Sequence, residues 1–134
     1  MAVRPHLDDL WYRFLEGYLD GTIPGIGGGD TLVSGRVVLT NTTAGTVIAA
    51  VAGHKIAVTS VLVVNADDVD STRVEIRDGT TVKMQGLASA DGGGWSHRAH
   101  GPMFEGTENT AITARCVSAG ADVDVFISGY LIPV

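Results

Sequence analysis

Two histidines in the second half of this 134-residue chain could do metal chemistry. His97 and His100 occur in WSHRAHG, a spacing that could present two imidazoles to a metal from a strand or a loop. No cysteine or carboxylate lies at a ligand spacing beside them, and a zinc site needs three or four ligands. We therefore interpret them as polar loop residues and predict no zinc site.

Three aspartates form a second candidate site. Asp67, Asp68 and Asp70 occur in DDVD, directly after an apolar run, and closely spaced carboxylates suit a hard cation such as Ca²⁺. The stretch lacks the glycine and the terminal glutamate of an EF-hand loop. A solvated turn is the better interpretation, so we predict no structural Ca²⁺ and no cofactor.

Cys116 is the only cysteine and lies in ITARCV, which predicts a strand. If it is buried it behaves as a small, inert hydrophobe. A nucleophilic pair with a histidine stays open, although no other residue supports it. The chain has no G-x-S-x-G elbow. We therefore expect a protein that is not an enzyme.

Composition indicates one folded domain of 134 residues that binds neither nucleic acid nor a membrane. Hydrophobic residues make up 45% of the chain and charged residues only 18%, which is too apolar for a disordered protein. The net charge of −6 would repel nucleic acid. No apolar run reaches the roughly 18 residues that a membrane helix needs.

The fold is organised around residues 53–66, GHKIAVTSVLVVNA, which we predict to be its central strand. Valine and threonine dominate this run, and both lose side-chain freedom in a helix. Alternation puts Ile56, Val58, Ser60, Leu62 and Val64 on one face, and Ala57, Thr59, Val61, Val63 and Asn65 on the other. Both faces are apolar or small, which predicts a strand buried between two layers.

The remainder of the chain after residue 31 also shows a β pattern. We predict strands near 32–40, 46–51, 55–65, 72–78, 80–88, 95–99, 110–117 and 122–132. Asp78-Gly79 is a strong hairpin signal, and Ala119-Gly120-Ala121 predicts a second turn. Short strands at this spacing, without helical crossovers, predict an all-β domain over 32–134, an antiparallel sandwich or barrel.

Residues 1–22 have a different pattern. Their apolar stripe includes Leu7, Leu10, Trp11, Phe14 and Tyr18, and charged residues fill the opposite side. This predicts an N-terminal amphipathic α-helix, followed by a Gly-rich linker over 23–31. The helix either covers an edge of the β domain or docks on another chain. Because an isolated helix of this length is marginal in water, the stripe must be buried, and we predict that it contacts another chain.

Residues 53–132 resemble a family of small β-sandwich virion proteins of tailed bacteriophages. The matching segments are GHKIAVTSVLVVNA, RVEIRDGTT, GGGW at 92–95, GPMFEGTENTAIT at 101–113, and the closing VDVFISGYLIPV. Such proteins are jelly-roll-like modules that assemble as trimers on capsids or on tail fibres and tips. The resemblance therefore implies an antiparallel, jelly-roll-like β-sandwich of about eight strands with a structural or attachment role.

The resemblance leaves two functions open. The first is a capsid decoration or cement protein, a homotrimer that binds the major capsid protein or another virion protein and gains avidity by bridging several copies. The alternative is a receptor- or glycan-binding module at a tail fibre or tail tip. Aromatic side chains exposed on loop tips would favour that alternative, and Trp95, Phe104 and Tyr130 are the candidates. Either function predicts a location on the virion.

Overall fold

The computed structural model describes residues 31–134. The helix predicted over 1–22, with its apolar stripe, lies outside these residues, as does the linker predicted over 23–31 apart from Thr31. Both stay predictions. The described part of the chain contains no helix that is long and apolar enough to cross a membrane.

The described residues form nine β-strands, which confirms the all-β prediction for this part of the chain. The strands are β1 (Thr31–Leu39), β2 (Gly45–Ile48), β3 (His54–Asn65), β4 (Thr72–Asp78), β5 (Thr81–Ala88), β6 (Gly94–Arg98), β7 (Phe104–Glu105), β8 (Ile112–Cys116) and β9 (Val123–Pro133). Each of the eight predicted strands overlaps one of these. The strand β7 was not predicted.

The strands pair into two antiparallel sheets. The five-stranded sheet has the order β1-β9-β3-β6, with the short strand β7 also paired to β3. The four-stranded sheet has the order β2-β8-β4-β5. Strand β3 pairs with β9 along its whole length and with β6 and β7 on its other edge, so its predicted central place is confirmed.

One hydrophobic core fills the space between the sheets. Strand β9 shows why, since Val123, Val125 and Ile127 are buried while the residues between them are not. The period of two sends alternate side chains to opposite faces of a strand, so each sheet buries one face. The buried side chains of the other inner strands are Ile56, Val58, Val61 and Val63 of β3, Val74 and Ile76 of β4, and Ile112, Ala114 and Cys116 of β8.

A β-bulge interrupts the alternation of β3. Val58 pairs with Gly129 and Ser60 pairs with Ser128, which leaves Thr59 as an extra residue without a partner of its own on β9. An extra residue shifts the alternation by one position. Every side chain after Thr59 therefore lies on the opposite face from the one that strict alternation gives.

The bulge corrects the predicted grouping of this strand. Ile56 and Val58 are buried in the core before the bulge, but Val61 and Val63 are buried after it, so the predicted single face was wrong. The prediction that both faces of the strand are covered holds for the first half, where Ala57 is as buried as Ile56 and Val58, but is wrong for the second half, where Leu62 is 43% exposed. The second half of β3 thus has one core face and one outer face.

The predicted hairpin is confirmed between β4 and β5. Asp78 pairs with Thr81, so Gly79 and Thr80 form a two-residue turn. Gly79 has a φ of +61°, a conformation that glycine adopts without steric cost. The buried carboxylate of Asp78 accepts hydrogen bonds from the backbone N (3.1 Å) and the hydroxyl (2.6 Å) of Thr107, which fixes the loop before β8.

Candidate functional site

The structure does not bring the candidate histidines into a metal-binding cluster. His97 is exposed on β6, and His100 is exposed in the loop that follows. Among residues 31–134, no three His, Cys, Asp or Glu side chains are grouped so that they could hold a metal ion. The absence of a metal in the working protein stays a prediction.

The three aspartates lie in the connection between β3 and β4, residues 66–71, which we call the acidic loop. The carboxylate of Asp67 accepts hydrogen bonds from the backbone N of Asp70 at 2.6 Å and of Val69 at 3.0 Å. These two bonds, with that from Asp70 the stronger cause, lower the pKa of Asp67 below its ordinary value of 3.8. The carboxylate is therefore engaged by the backbone of its own loop.

Asn65 fixes the acidic loop from the interior. Its side chain is fully buried, and its amide nitrogen donates to the carbonyl oxygens of Asp70 at 2.8 Å and Ala88 at 3.0 Å. Its amide oxygen accepts from the backbone N of Asp67 at 3.0 Å. These bonds tie the loop backbone to the end of β3, with Val69 76% exposed at the tip.

Cys116 lies in the core and is no candidate for catalysis. It is 1% exposed on β8, whereas the candidate histidines lie at the surface. Burial raises the pKa of its thiol, and a hydrogen bond with the Thr72 hydroxyl offsets part of that rise. The thiol is therefore protonated at neutral pH, the form that is a poor nucleophile.

The three aromatic candidates for glycan binding lie on strands rather than on loop tips. Trp95 on β6 packs against the core beside Gly86, where an added Cβ would lie 2.8 Å from the indole nitrogen. Phe104 on β7 also packs against the core, and Tyr130 on β9 is half-buried. None of the three presents a free ring face at a loop tip, so this expected mark of a ligand-binding module is missing among them.

The most distinctive surface of the described residues is a groove on the outer face of the five-stranded sheet, with a volume of about 760 Å³. Its floor is the cross-strand pair of Leu62 on β3 and Phe126 on β9, which are 43% and 38% exposed. We call this surface the outer groove and define it by six of its lining residues: Arg36, Ser60, Leu62, Arg98, Phe126 and Ser128.

Two arginines border the outer groove from opposite edges of the sheet. Arg36 on β1 forms an ion pair with Asp124 at 2.7 Å, and its guanidinium carbon lies 5.4 Å from the centre of the Phe126 ring. This is cation–π distance, so Arg36 is held over the aromatic floor. Arg98 on β6 is exposed and has no ion-pair partner among residues 31–134.

Hydroxyl groups continue the groove beyond its apolar floor. Ser60 and Ser128 lie opposite each other on β3 and β9, and their hydroxyls are hydrogen-bonded to each other. The outer groove therefore combines a central apolar pair with polar and cationic margins. Such a surface suits a protein partner, because interface cores are apolar and their rims polar.

Sequence reasoning missed the outer groove because the bulge at Thr59 reverses the face on which Leu62 lies. One signal was nevertheless present. In VDVFISG the buried positions are Val123, Val125 and Ile127, so Phe126 lies on the solvent-facing side of a strictly alternating strand. A large aromatic side chain on the solvent-facing side indicates a surface that another segment or another chain covers. The predicted docking residues Leu7, Leu10, Trp11, Phe14 and Tyr18 lie outside the described residues.

A scan of known protein families and a search of curated proteins found no match to this chain. Among solved structures, the chain is similar to one in the capsid asymmetric unit of cyanophage Pam1, with 24% identity, a TM-score of 0.48, and coverage of 82% of this chain and 91% of that one. It is also similar to a chain of the disulfide-linked pili of Bacillus endospore appendages, with 13% identity, a TM-score of 0.41, and coverage of 80% and 92%. Neither overlap is close enough to transfer a function.

Proposed function

We propose that this protein is a structural bacteriophage virion protein, a decoration or cement protein that binds the outer surface of the capsid as a homotrimer. It has no catalytic role and no cofactor in this assignment. Its partners are other copies of itself and the major capsid protein or another virion protein. The outer groove is the structural observation that carries the assembly role, because an apolar pair at the centre of a solvent-facing sheet calls for a covering partner.

The segments that carry the sequence resemblance occupy consistent places in the fold. GHKIAVTSVLVVNA covers β3, RVEIRDGTT covers most of β4 and the turn into β5, and VDVFISGYLIPV covers β9. Strands β3 and β9 are the two inner strands of the five-stranded sheet and pair along their whole length. The resemblance thus extends over the centre of the domain rather than over one peripheral hairpin, which supports the virion assignment.

The strand order supports a jelly roll. Strands at corresponding places in the two sheets are neighbours in the chain: β1 with β2, β9 with β8, β3 with β4, and β6 with β5. A long hairpin of paired strands that rolls up into two sheets gives this order, and it is the arrangement of double-sheet jelly rolls. The short strand β7 is an addition to that pattern.

The N-terminal stripe of Leu7, Leu10, Trp11, Phe14 and Tyr18 is assigned to contact with another chain. A protein that begins at Thr31 tests this assignment. We expect it to keep its β-rich circular dichroism and a cooperative melt but to lose attachment to the capsid or to its own oligomer. Normal assembly of the truncated protein would remove the docking role, and failure to fold would make residues 1–30 part of the domain.

The decisive experiment for the virion role is localisation. Gold-labelled antibody against this protein should decorate the heads of intact virions in electron micrographs, and the protein should co-sediment with isolated heads. Label on isolated tails would contradict the decoration role and favour a tail-fibre or tail-tip module. Label on neither would contradict the virion assignment itself.

Sedimentation should give a trimer at micromolar concentration in neutral buffer, and a monomer alone would contradict the homotrimer.

A further inference from the structure

We infer that the acidic loop of one copy docks in the outer groove of the next copy. This inference rests on the proposed homotrimer and assigns a specific contact to it. The loop and the groove are different surfaces of the same chain, so the contact is head-to-tail. A head-to-tail contact closes into a ring when its rotation angle fits. Three copies would then each contribute one loop and one groove, and no apolar floor would stay exposed.

The acidic loop has the properties of a preformed knob. Val69, at its tip, is the most exposed large hydrophobic residue of the described part of the chain, at 76%. The hydrogen bonds from Asp67 and Asn65 hold its backbone in place, so little conformational entropy is lost when the loop is bound. Asp68 and Asp70 flank the apolar tip and are both exposed.

The outer groove is complementary to that knob in polarity and in charge. The floor of Leu62 and Phe126 offers an apolar surface for the Val69 side chain. Arg98 and Arg36 stand at the margins, where the carboxylates beside the tip would lie. Arg98 has no ion-pair partner among residues 31–134, so it is available to a carboxylate of another copy.

The groove must be filled by a second copy rather than by the loop of the same chain. The acidic loop begins where β3 ends. The side chain of Asn65 ties it to the backbone of Asp70 within the loop and of Ala88 at the end of β5. Folding the loop back over Leu62 of the same strand would break these buried bonds and leave polar groups buried without partners, which is unfavourable. A neighbouring copy can present the loop without any such change.

A charge-reversal experiment on the full-length protein tests the contact. Arg98→Glu should weaken association in sedimentation by at least about tenfold, because it places like charges together in the contact. The matched control is Arg73→Glu, an exposed arginine on the outer face of the other sheet, which should leave association unchanged. The double variant Asp68→Arg with Arg98→Glu should recover most of the lost association, since it restores the opposite charges.

Each outcome separates the contact from the trimer. If the wild-type protein is a trimer and the Arg98→Glu and Val69→Ser variants are trimers as well, this contact is wrong but the proposed trimer stands. Loss of association with Arg98→Glu but no recovery in the double variant overturns the acidic loop as the occupant. If the protein that begins at Thr31 is then also monomeric, the groove holds the N-terminal segment of another copy. A wild-type protein that is a monomer overturns both the trimer and the contact, while capsid co-sedimentation still tests the virion role.

Discussion

The two outer faces of the domain differ at their central cross-strand pair. On the five-stranded sheet, the inner strands β3 and β9 place Leu62 opposite Phe126. On the four-stranded sheet, the inner strands β4 and β8 place Glu75 opposite Arg115, joined by an ion pair of 3.1 Å. One face thus has an exposed apolar pair at its centre, and the other has a pair of opposite charges.

This difference cannot come from the needs of folding. Both sheets bury one face in the same core, and either kind of pair is compatible with a strand. A charged pair keeps the four-stranded face hydrated, whereas an apolar pair on the five-stranded face gains free energy only when something covers it. The five-stranded face is therefore the one that we assign to assembly. On the four-stranded face, the exposed apolar side chains Val82 and Leu87 lie on its edge strand β5 rather than at its centre.

The largest effects are expected beneath the two faces, where they should be equal. Ile76 lies under the four-stranded face and Ile127 under the five-stranded face, and both are almost fully buried. Changing either to alanine should lower the free energy of unfolding by about 2–5 kcal/mol, because each leaves a cavity in one shared core. Urea unfolding at one fixed protein concentration measures both. If only Ile127→Ala were costly, the sheets would not share a core.

The next largest effect should distinguish the faces. Leu62→Ser should weaken self-association roughly tenfold to a hundredfold, because the free energy gained when the partner buries the leucine side chain is lost. The matched control is Leu87→Ser, which changes a leucine that is 57% exposed on the other sheet and should leave association unchanged. Neither should change the free energy of unfolding of the monomer by more than about 1 kcal/mol. Equal effects of the two changes on sedimentation would remove the difference between the faces.

The inner faces could be predicted from the sequence better than the outer ones. Strong alternation in Val123, Val125 and Ile127 fixes β9, and Asp78-Gly79 fixes the β4–β5 hairpin through local turn chemistry. The bulge at Thr59 has no local signal, because any small or β-branched residue of β3 could have been the extra one. It arises from the pairing with β9, a partner about 70 residues away in the chain.

The short strand β7 and the outer groove were out of reach for the same reason. Phe104 and Glu105 give too few residues to show alternation, and they count as a strand only because they pair with Val58 and Ala57 of β3. The groove needs β1, β3, β6 and β9 side by side, which only the sheet order supplies. Local patterns therefore predicted the strands, and long-range pairing decided which side chains face outward.

A smaller, pH-dependent effect should mark the acidic loop at the end of the five-stranded sheet. Because the folded-state pKa of Asp67 is lowered from 3.8, its ionised form stabilises the fold above that value, and this stabilisation is lost as the pH falls through the lower folded-state pKa. Asp67→Ala should therefore lower the melting temperature at pH 7, and its difference from the wild type should disappear in acid. Asp68→Ala, in the same loop, is the control and should leave the melting temperature at pH 7 unchanged. A difference for Asp67→Ala that persists at low pH would show that its carboxylate does not hold the loop.

The smallest effects on stability should come from the ion pairs of the two faces, and here the faces differ in a second way. The Glu75–Arg115 and Arg36–Asp124 pairs are both partly exposed, so Glu75→Gln and Asp124→Asn should each change the free energy of unfolding by less than about 1 kcal/mol in urea.

Removing the carboxylate of Glu75 releases a cation on a face with no assigned partner. Removing Asp124 releases Arg36 at the margin of the outer groove, where the acidic loop of the next copy is placed. Asp124→Asn should therefore strengthen self-association at low ionic strength and lose that gain at high salt, whereas Glu75→Gln should do neither. If Asp124→Asn weakened association instead, Asp124 would itself face a cation of the next copy, and the acidic loop would not be what the groove receives.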